Sequence, residues 1–192
     1  MCGIAGYFNP DQNYAENPKQ NFHTLSRMIN TMNHRGPDTY GHTIINSCCL
    51  AHTRLSIIDL ENGRQPMSYT KDGNTYYIVY NGEIYNYKEV KKTLLRKNYT
   101  FETNSDTEVI IAAFCHYGPG FVKELNGIFA IAIYDSMRNT LYLYRDRFGV
   151  KPLYYTKTGD TLVFASRIDT LFEYPRVRPC IDLNNHYDDG IR

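Results

Sequence analysis

The chain has 192 residues and a formal net charge of +1 at neutral pH, so it has room for one domain with a real core and lacks the basic excess that would draw it to nucleic acid or to an anionic membrane. Its five cysteines, at positions 2, 48, 49, 115 and 180, form no CxxC pair and no zinc-type spacing, and their odd count argues against a secreted disulfide framework; a reducing cytosol is the expected compartment. The first thirty residues carry no basic segment ahead of an apolar core, no stretch approaches a membrane span, and Cys2 stands where N-myristoylation needs Gly.

Cys2 opens the apolar run Cys2-Gly3-Ile4-Ala5-Gly6-Tyr7-Phe8, which reads as a buried strand with close backbone approach at its glycines. Asn9-Pro10-Asp11 turns the chain. Phe22, Leu25, Met28, Ile29 and Met32 then recur at helical spacing, predicting an amphipathic helix that ends near Asn33. Short strand-like runs follow at Gly41 to Ile45, Cys48 to Leu55 and Thr75 to Tyr80, separated by loops at His34 to Asp38 and Asp59 to Met67. Two helices come next: Tyr87 to Lys97 with Val90 and Leu94 on one face, and Thr107 to Tyr117, apolar nearly all round as in a helix packed between layers. The chain returns to strands at Gly127 to Tyr134, Leu141 to Arg145, Leu153 to Tyr155 and Thr161 to Ala165, joined by short polar turns that suit antiparallel hairpins. This order is not a regular βαβ alternation; it predicts α+β, with antiparallel sheets covered by helices. Eighteen Tyr and no Trp fit half-buried strands and by themselves mark no site. From about Tyr174 the chain turns polar and reads as a tail or linker, giving a domain over 1–174 and a tail over 175–192.

Cys2 is the strongest chemical signal. Removal of Met1 would leave a residue carrying both a thiol and a free α-amine. A free thiol has a pKa of about 8.5 and an α-amine one of about 7.7 to 8.0, so near neutral pH such an amine accepts the thiol proton and the residue is a nucleophile with its own base. Asn81-Gly82, after the third strand-like run, reads two ways. As a tight-turn dipeptide it closes a hairpin; as a side-chain NH₂ beside a glycine N–H it makes a two-donor oxyanion pocket of the kind a thiol nucleophile needs. Arg54, at the end of an apolar strand, suits either a structural ion pair or a bidentate clamp on a carboxylate. Glu83 and Asp106 could hold an ammonium, while Ser105 and Asp106 also fit the cap of the following helix with Glu108 in its first turn. A cation for a carboxylate, anions for an ammonium and an acyl-transfer apparatus together describe an amino acid whose side chain carries a carbonyl. The six histidines, His34 and His52 among them, read as hydrogen-bonding loop and strand residues, and Cys48, Cys49, Cys115 and Cys180 as core or surface thiols.

Through MCGIAG, HRGPD, AHTRLSIID, NGEIYN, SDTEVI, LNGIFAIAIYD and RDRFGVKPLYY, from Cys2 to about Leu171, the chain resembles the class II glutamine amidotransferase domains, a branch of the N-terminal nucleophile hydrolases. Within the class, RLSIID with NGEIYN and RGPD is similar to the amidotransferase half of asparagine synthetases of the B type. The resemblance implies a four-layer αββα sandwich of two mainly antiparallel sheets. In it Cys2 attacks the side-chain carboxamide of L-glutamine, Asn81 and Gly82 form the oxyanion hole, Arg54 binds the substrate carboxylate, and Glu83 and Asp106 bind its α-ammonium. Main chain of Leu55, Ser56, Ile57 and Ile58 lines the pocket. Ammonia leaves, water releases glutamate, and the ammonia serves a synthetase domain that activates aspartate with ATP, in cis in a longer protein or in trans.

The same resemblance implies no metal and no cofactor for this domain, ATP and Mg²⁺ being expected only for the synthetase domain, which is missing here together with its SGGxDS-type loop. No nucleic acid or membrane partner is expected, and a homo-oligomer is left open. One departure concerns Phe164 to Asp169, where relatives usually read FASEIK: Arg167 and Asp169 replace an acid and a base, on the face away from the pocket. Two other readings stand beside the leading one, a further N-terminal nucleophile hydrolase such as a linear-amide acylase and a non-catalytic glutamine-binding or interaction domain.

Overall fold

Alternation along the strands decides how the layers stack. The structure is a computed structural model that describes residues 2–55 and 63–179. Among the described residues the order is β1 (Gly3–Phe8), α1 (Pro18–Met32), β2 (Thr39–Ile45), β3 (Cys48–Arg54), β4 (Met67–Lys71), β5 (Asn74–Ile84), α2 (Tyr87–Leu95), α3 (Asp106–Tyr117), β6 (Gly127–Asp135), β7 (Thr140–Arg145), β8 (Tyr154–Thr158), β9 (Thr161–Ala165) and α4 (Ile168–Leu171). All sheet pairs are antiparallel, in one sheet ordered β2-β3-β1-β9-β8 and a second ordered β4-β5-β6-β7.

Successive residues of a strand point to opposite faces. In the first sheet Ala5, Tyr7, Cys49, Ala51, Val163 and Ala165 pack against Leu25, Met28, Ile29 and Met32 of α1. The intervening residues Ile4, Cys48, Leu50 and Phe164 meet Val79, Ala130, Ala132 and Tyr134 of the second sheet. On the outer face of that sheet Ile78, Tyr80, Phe129, Ile131 and Ile133 pack against Val90 and Leu94 of α2 and the apolar side chains of α3. The result is the expected αββα sandwich, with each fully buried Leu or Ile contributing about 1.5–3 kcal/mol of apolar transfer. Helix α3 is buried over most of its length, which is why its sequence shows no polar stripe.

Two expectations need correction. Asn81-Gly82 is not a turn: β5 continues through Asn81, Gly82 and Glu83 to Ile84, paired with Ala130, Phe129, Ile128 and Gly127 of β6. The glycine is there for close approach, since a Cβ on Gly82 would run into the carbonyl of Ile128. Strand β4 goes unannounced in the sequence because it is a polar edge, with half-buried Met67 and Tyr69 alternating with exposed Ser68 and Thr70, and it returns to β5 through the left-handed pair Asp72-Gly73. Beyond α4 the Tyr174 ring lies 5.0 Å from that of Tyr7, and Val177 is buried.

Candidate active site

The antiparallel register of β1 and β3 pairs Gly3 with Thr53, which brings Cys2 beside the end of β3. The Cys2 thiol donates to the carbonyl of Leu55 at 3.7 Å, and Arg35, from the HRGPD loop, donates from Nε to the Cys2 carbonyl at 3.3 Å. Arg54, the last residue of β3, is 6 % exposed. Across the sandwich the inward face of β5 presents Asn81, and behind it the N-terminus of α3 presents Asp106. One cavity of about 200 Å³ is lined by Cys2, Arg54, Leu55, Asn81, Gly82, Glu83 and Asp106. Every candidate that falls among the described residues is thus brought together, while Ser56, Ile57 and Ile58 lie outside them.

Along the β5 edge that β4 leaves uncovered, alternate N–H groups point the same way. Tyr80 N donates to Gln65 Oε1 at 2.6 Å, and Ile84 N approaches Asp106 Oδ2 at 3.4 Å. The N–H between them on this edge is that of Gly82, with no bond there to a described residue. Asn81 is 2 % exposed and its Nδ2 has no hydrogen-bond partner among the described residues. Leaving a buried donor unmet costs about 1–3 kcal/mol, so two open donors beside a thiol mark a place prepared for an acceptor.

Asp106 serves two purposes at once. It begins α3, whose cap is Ser105 Oγ accepting from Thr107 N at 3.2 Å, and its Oδ2 accepts from the Tyr80 hydroxyl at 2.8 Å. Burial pushes its carboxyl up, and the bonds from Tyr80, Ile84 and Thr107 pull it back. Glu83 is exposed at the mouth. His52 lines the same cavity, yet burial first and the charge of Arg54 second push its imidazole down to about 3, which makes it a poor base near neutrality. The other described thiols are held protonated near neutrality: burial pushes Cys48 up, and Cys49 and Cys115 up to about 12.

Several residues of the site escaped sequence reasoning. Gln65 sits in a polar stretch with no periodicity, and Tyr80 read only as a strand residue. Lys151 also lines the cavity, carried by a loop that Asp146 organises by accepting from the amides of Phe129, Phe148, Val150 and Lys151. The signal was the RDRFGVK run, which has too many charges for a plain hairpin turn. Glu108, expected only as a first-turn acid, is buried and accepts from the amides of Glu102 and Thr103. Arg167 and Asp169 compensate one another through paired bonds of 2.8 and 2.5 Å, and Arg167 Nη1 also meets His34 Nε2 at 2.7 Å. No group of three or more metal-ligating side chains occurs among the described residues, and no described helix is long and apolar enough to cross a membrane.

The profile of the glutamine amidotransferase domain matches residues 1–187. Asparagine synthetase [glutamine-hydrolyzing] 3 of Bacillus subtilis is 40% identical over 182 residues, covering 95% of this chain and 29% of the relative. Asparagine synthetase B [glutamine-hydrolyzing] of Escherichia coli is 40% identical over 165 residues, covering 85% of this chain and 28% of the relative. The chain therefore spans well under a third of the length of these relatives. Among solved structures, the glutamine phosphoribosylpyrophosphate amidotransferase of B. subtilis has the same fold, with a TM-score of 0.68 at 20% identity over 88% of this chain and 42% of that one.

Proposed function

The chain belongs to the glutamine amidotransferase domain family, and we propose that it hydrolyses L-glutamine through Cys2 as an N-terminal nucleophile. With Met1 removed, the Cys2 α-amine takes the thiol proton as sulfur attacks the side-chain carboxamide carbon. The carbonyl oxygen gains negative charge, which Asn81 Nδ2 and Gly82 N–H stabilise. The amine returns the proton to the departing nitrogen, the C–N bond breaks, and ammonia and a γ-glutamyl thioester form. Water then adds to the thioester, the C–S bond breaks, and glutamate leaves with Cys2 regenerated. Arg54 clamps the α-carboxylate, Glu83 and Asp106 face the α-ammonium, and Leu55 lines the pocket.

The observation that carries this reading is the buried Asn81 Nδ2 without a partner among the described residues, beside the Gly82 N–H and in one cavity with the thiol. The low His52 pKa supports the α-amine as base. In the whole protein, the ammonia passes to a synthetase domain that aminates aspartate with ATP and Mg²⁺; the amidotransferase domain itself works without a cofactor and in the cytoplasm. Residues 1–174 form the catalytic unit and 175–192 lead toward that partner.

The test is alkylation by 6-diazo-5-oxo-norleucine, a glutamine mimic with an electrophilic carbon at the reacting position, followed by peptide mapping and glutamate assay. The adduct is expected on Cys2 alone, together with loss of glutamate release. An adduct on Cys48, Cys49 or Cys115, or hydrolysis that survives modification of Cys2, would overturn the assignment.

A further inference from the structure

Gln65 occupies a place in the sheet that no strand among the described residues fills. The β4–β5 ladder stops at Met67 opposite Ile78, and Pro66, next in line, has no N–H to offer. Continued by two more pairs, the ladder would set Gln65 against Tyr80. The Gln65 side chain does this work in place of its backbone, with Oε1 accepting from Tyr80 N at 2.6 Å and Nε2 donating to Thr107 Oγ1 at 3.2 Å. Its backbone is fixed from the other side, because Gly41 of β2 comes so near that a Cβ there would run into the Gln65 carbonyl. One side chain thus ties β5 to the first turn of α3 while its main chain lies against the first sheet.

The tie has a location that matters. Tyr80 immediately precedes Asn81, and Thr107 immediately follows Asp106. The Tyr80 hydroxyl reaches Asp106 at 2.8 Å, so Tyr80, Gln65, Thr107 and Asp106 close a ring of contacts. On the uncovered edge of β5, Gln65 at Tyr80 and Asp106 at Ile84 bracket Gly82.

We infer that Gln65 is a positioning residue that fixes the span between the oxyanion donors of Asn81 and Gly82 and the ammonium site at Asp106, and thereby selects a substrate of glutamine length over one a methylene shorter. This rests on the glutamine reading of the site. A fixed span is what a one-methylene choice requires, since apolar contact alone discriminates a methylene by only about 10- to 200-fold and a small misplacement of the reacting carbon costs rate.

The experiment compares wild type, Thr107→Val, Gln65→Met and the double variant, each with Met1 removed. Cys2 is alkylated with 6-diazo-5-oxo-norleucine and with its asparagine-length homologue 5-diazo-4-oxo-norvaline, rates being read by intact mass beside kcat and KM for glutamine. Wild type is expected to favour the longer reagent. Thr107→Val should narrow that preference and raise KM by roughly 3- to 10-fold, the size of one buried neutral hydrogen bond. Gln65→Met should do the same and also lower kcat, and the double variant should match Gln65→Met. Thr107→Val is nearly isosteric, so it decides the matter alone if Gln65→Met fails to fold. An unchanged preference, equal slowing of both reagents, or additive effects in the double variant would overturn the role of Gln65 and leave the glutamine reading standing. A wild type whose Cys2 takes neither reagent would overturn the glutamine reading and this inference with it.

Discussion

The two sheets supply the site in different ways. The first contributes Cys2, just ahead of β1, and Arg54, the last residue of β3, both at places where a strand ends. The second contributes Asn81, Gly82 and Glu83 from inside β5, paired with β6 along that whole stretch. Groups at strand ends can adjust as a substrate arrives, whereas donors within a paired strand stand in place beforehand. On the proposed function, the oxyanion donors are the preorganised part of the site, which is where fixed geometry is worth most.

This contrast can be broken from either side. The largest effect is expected at the first sheet. A chain that keeps Met1, or carries one Gly ahead of Cys2, retains the thiol but turns the α-amine into an amide that accepts no proton near neutrality. Glutamate release should drop by roughly 100- to 10,000-fold, the range of general-base catalysis, and return when a cleavable extension is cut to expose Cys2. Equal activity before and after cleavage would transfer the base to another group.

On the second sheet, Asn81→Ala should lower kcat by about 100- to 1,000-fold with little change in KM, the loss expected for one preorganised oxyanion donor. A pure KM effect would mean that the β5 donors bind the ground state and that the contrast between the sheets is wrong.

The smallest effect concerns His52, which stands on β3 with its pKa lowered from 6.5 to about 3. Between those values the unfolded chain binds the proton more readily, so this contribution is present above about pH 6.5 and is lost as pH falls toward 3. From pH 7 to pH 5 the loss is at most about 2 kcal/mol. Urea midpoints at the two pH values measure it, with His52→Gln expected to flatten the dependence. A parallel decline in both proteins would show that His52 is not the group held neutral.

The layers were legible in the sequence wherever burial imposed a period: the α1 face at Leu25, Met28, Ile29 and Met32, and the all-round apolar α3. The site was legible wherever chemistry concentrated in one short run, as at Cys2, Arg54 and Asn81-Gly82. What the sequence concealed depended on pairing. A dipeptide that makes tight turns sits in a strand because β6 is there to receive it, and β4 hides because its alternation is short and its inward residues are only half-buried. Gln65 was the hardest to see, since its role exists only between three elements distant in sequence. Arg167 and Asp169, expected to disturb one face, satisfy each other and His34, a compensation that appears only in space.

The Tyr174 ring on Tyr7 ties the chain beyond α4 to the strand that follows Cys2. The Tyr7 hydroxyl in turn donates to Asn21 of α1, and Val177 joins the same buried cluster. Amides of β1 and α1 are therefore expected to open together with the segment around Tyr174, and a protein shortened ahead of that tyrosine should lose hydrogen-exchange protection at the strand that follows Cys2 while keeping every described residue of the pocket.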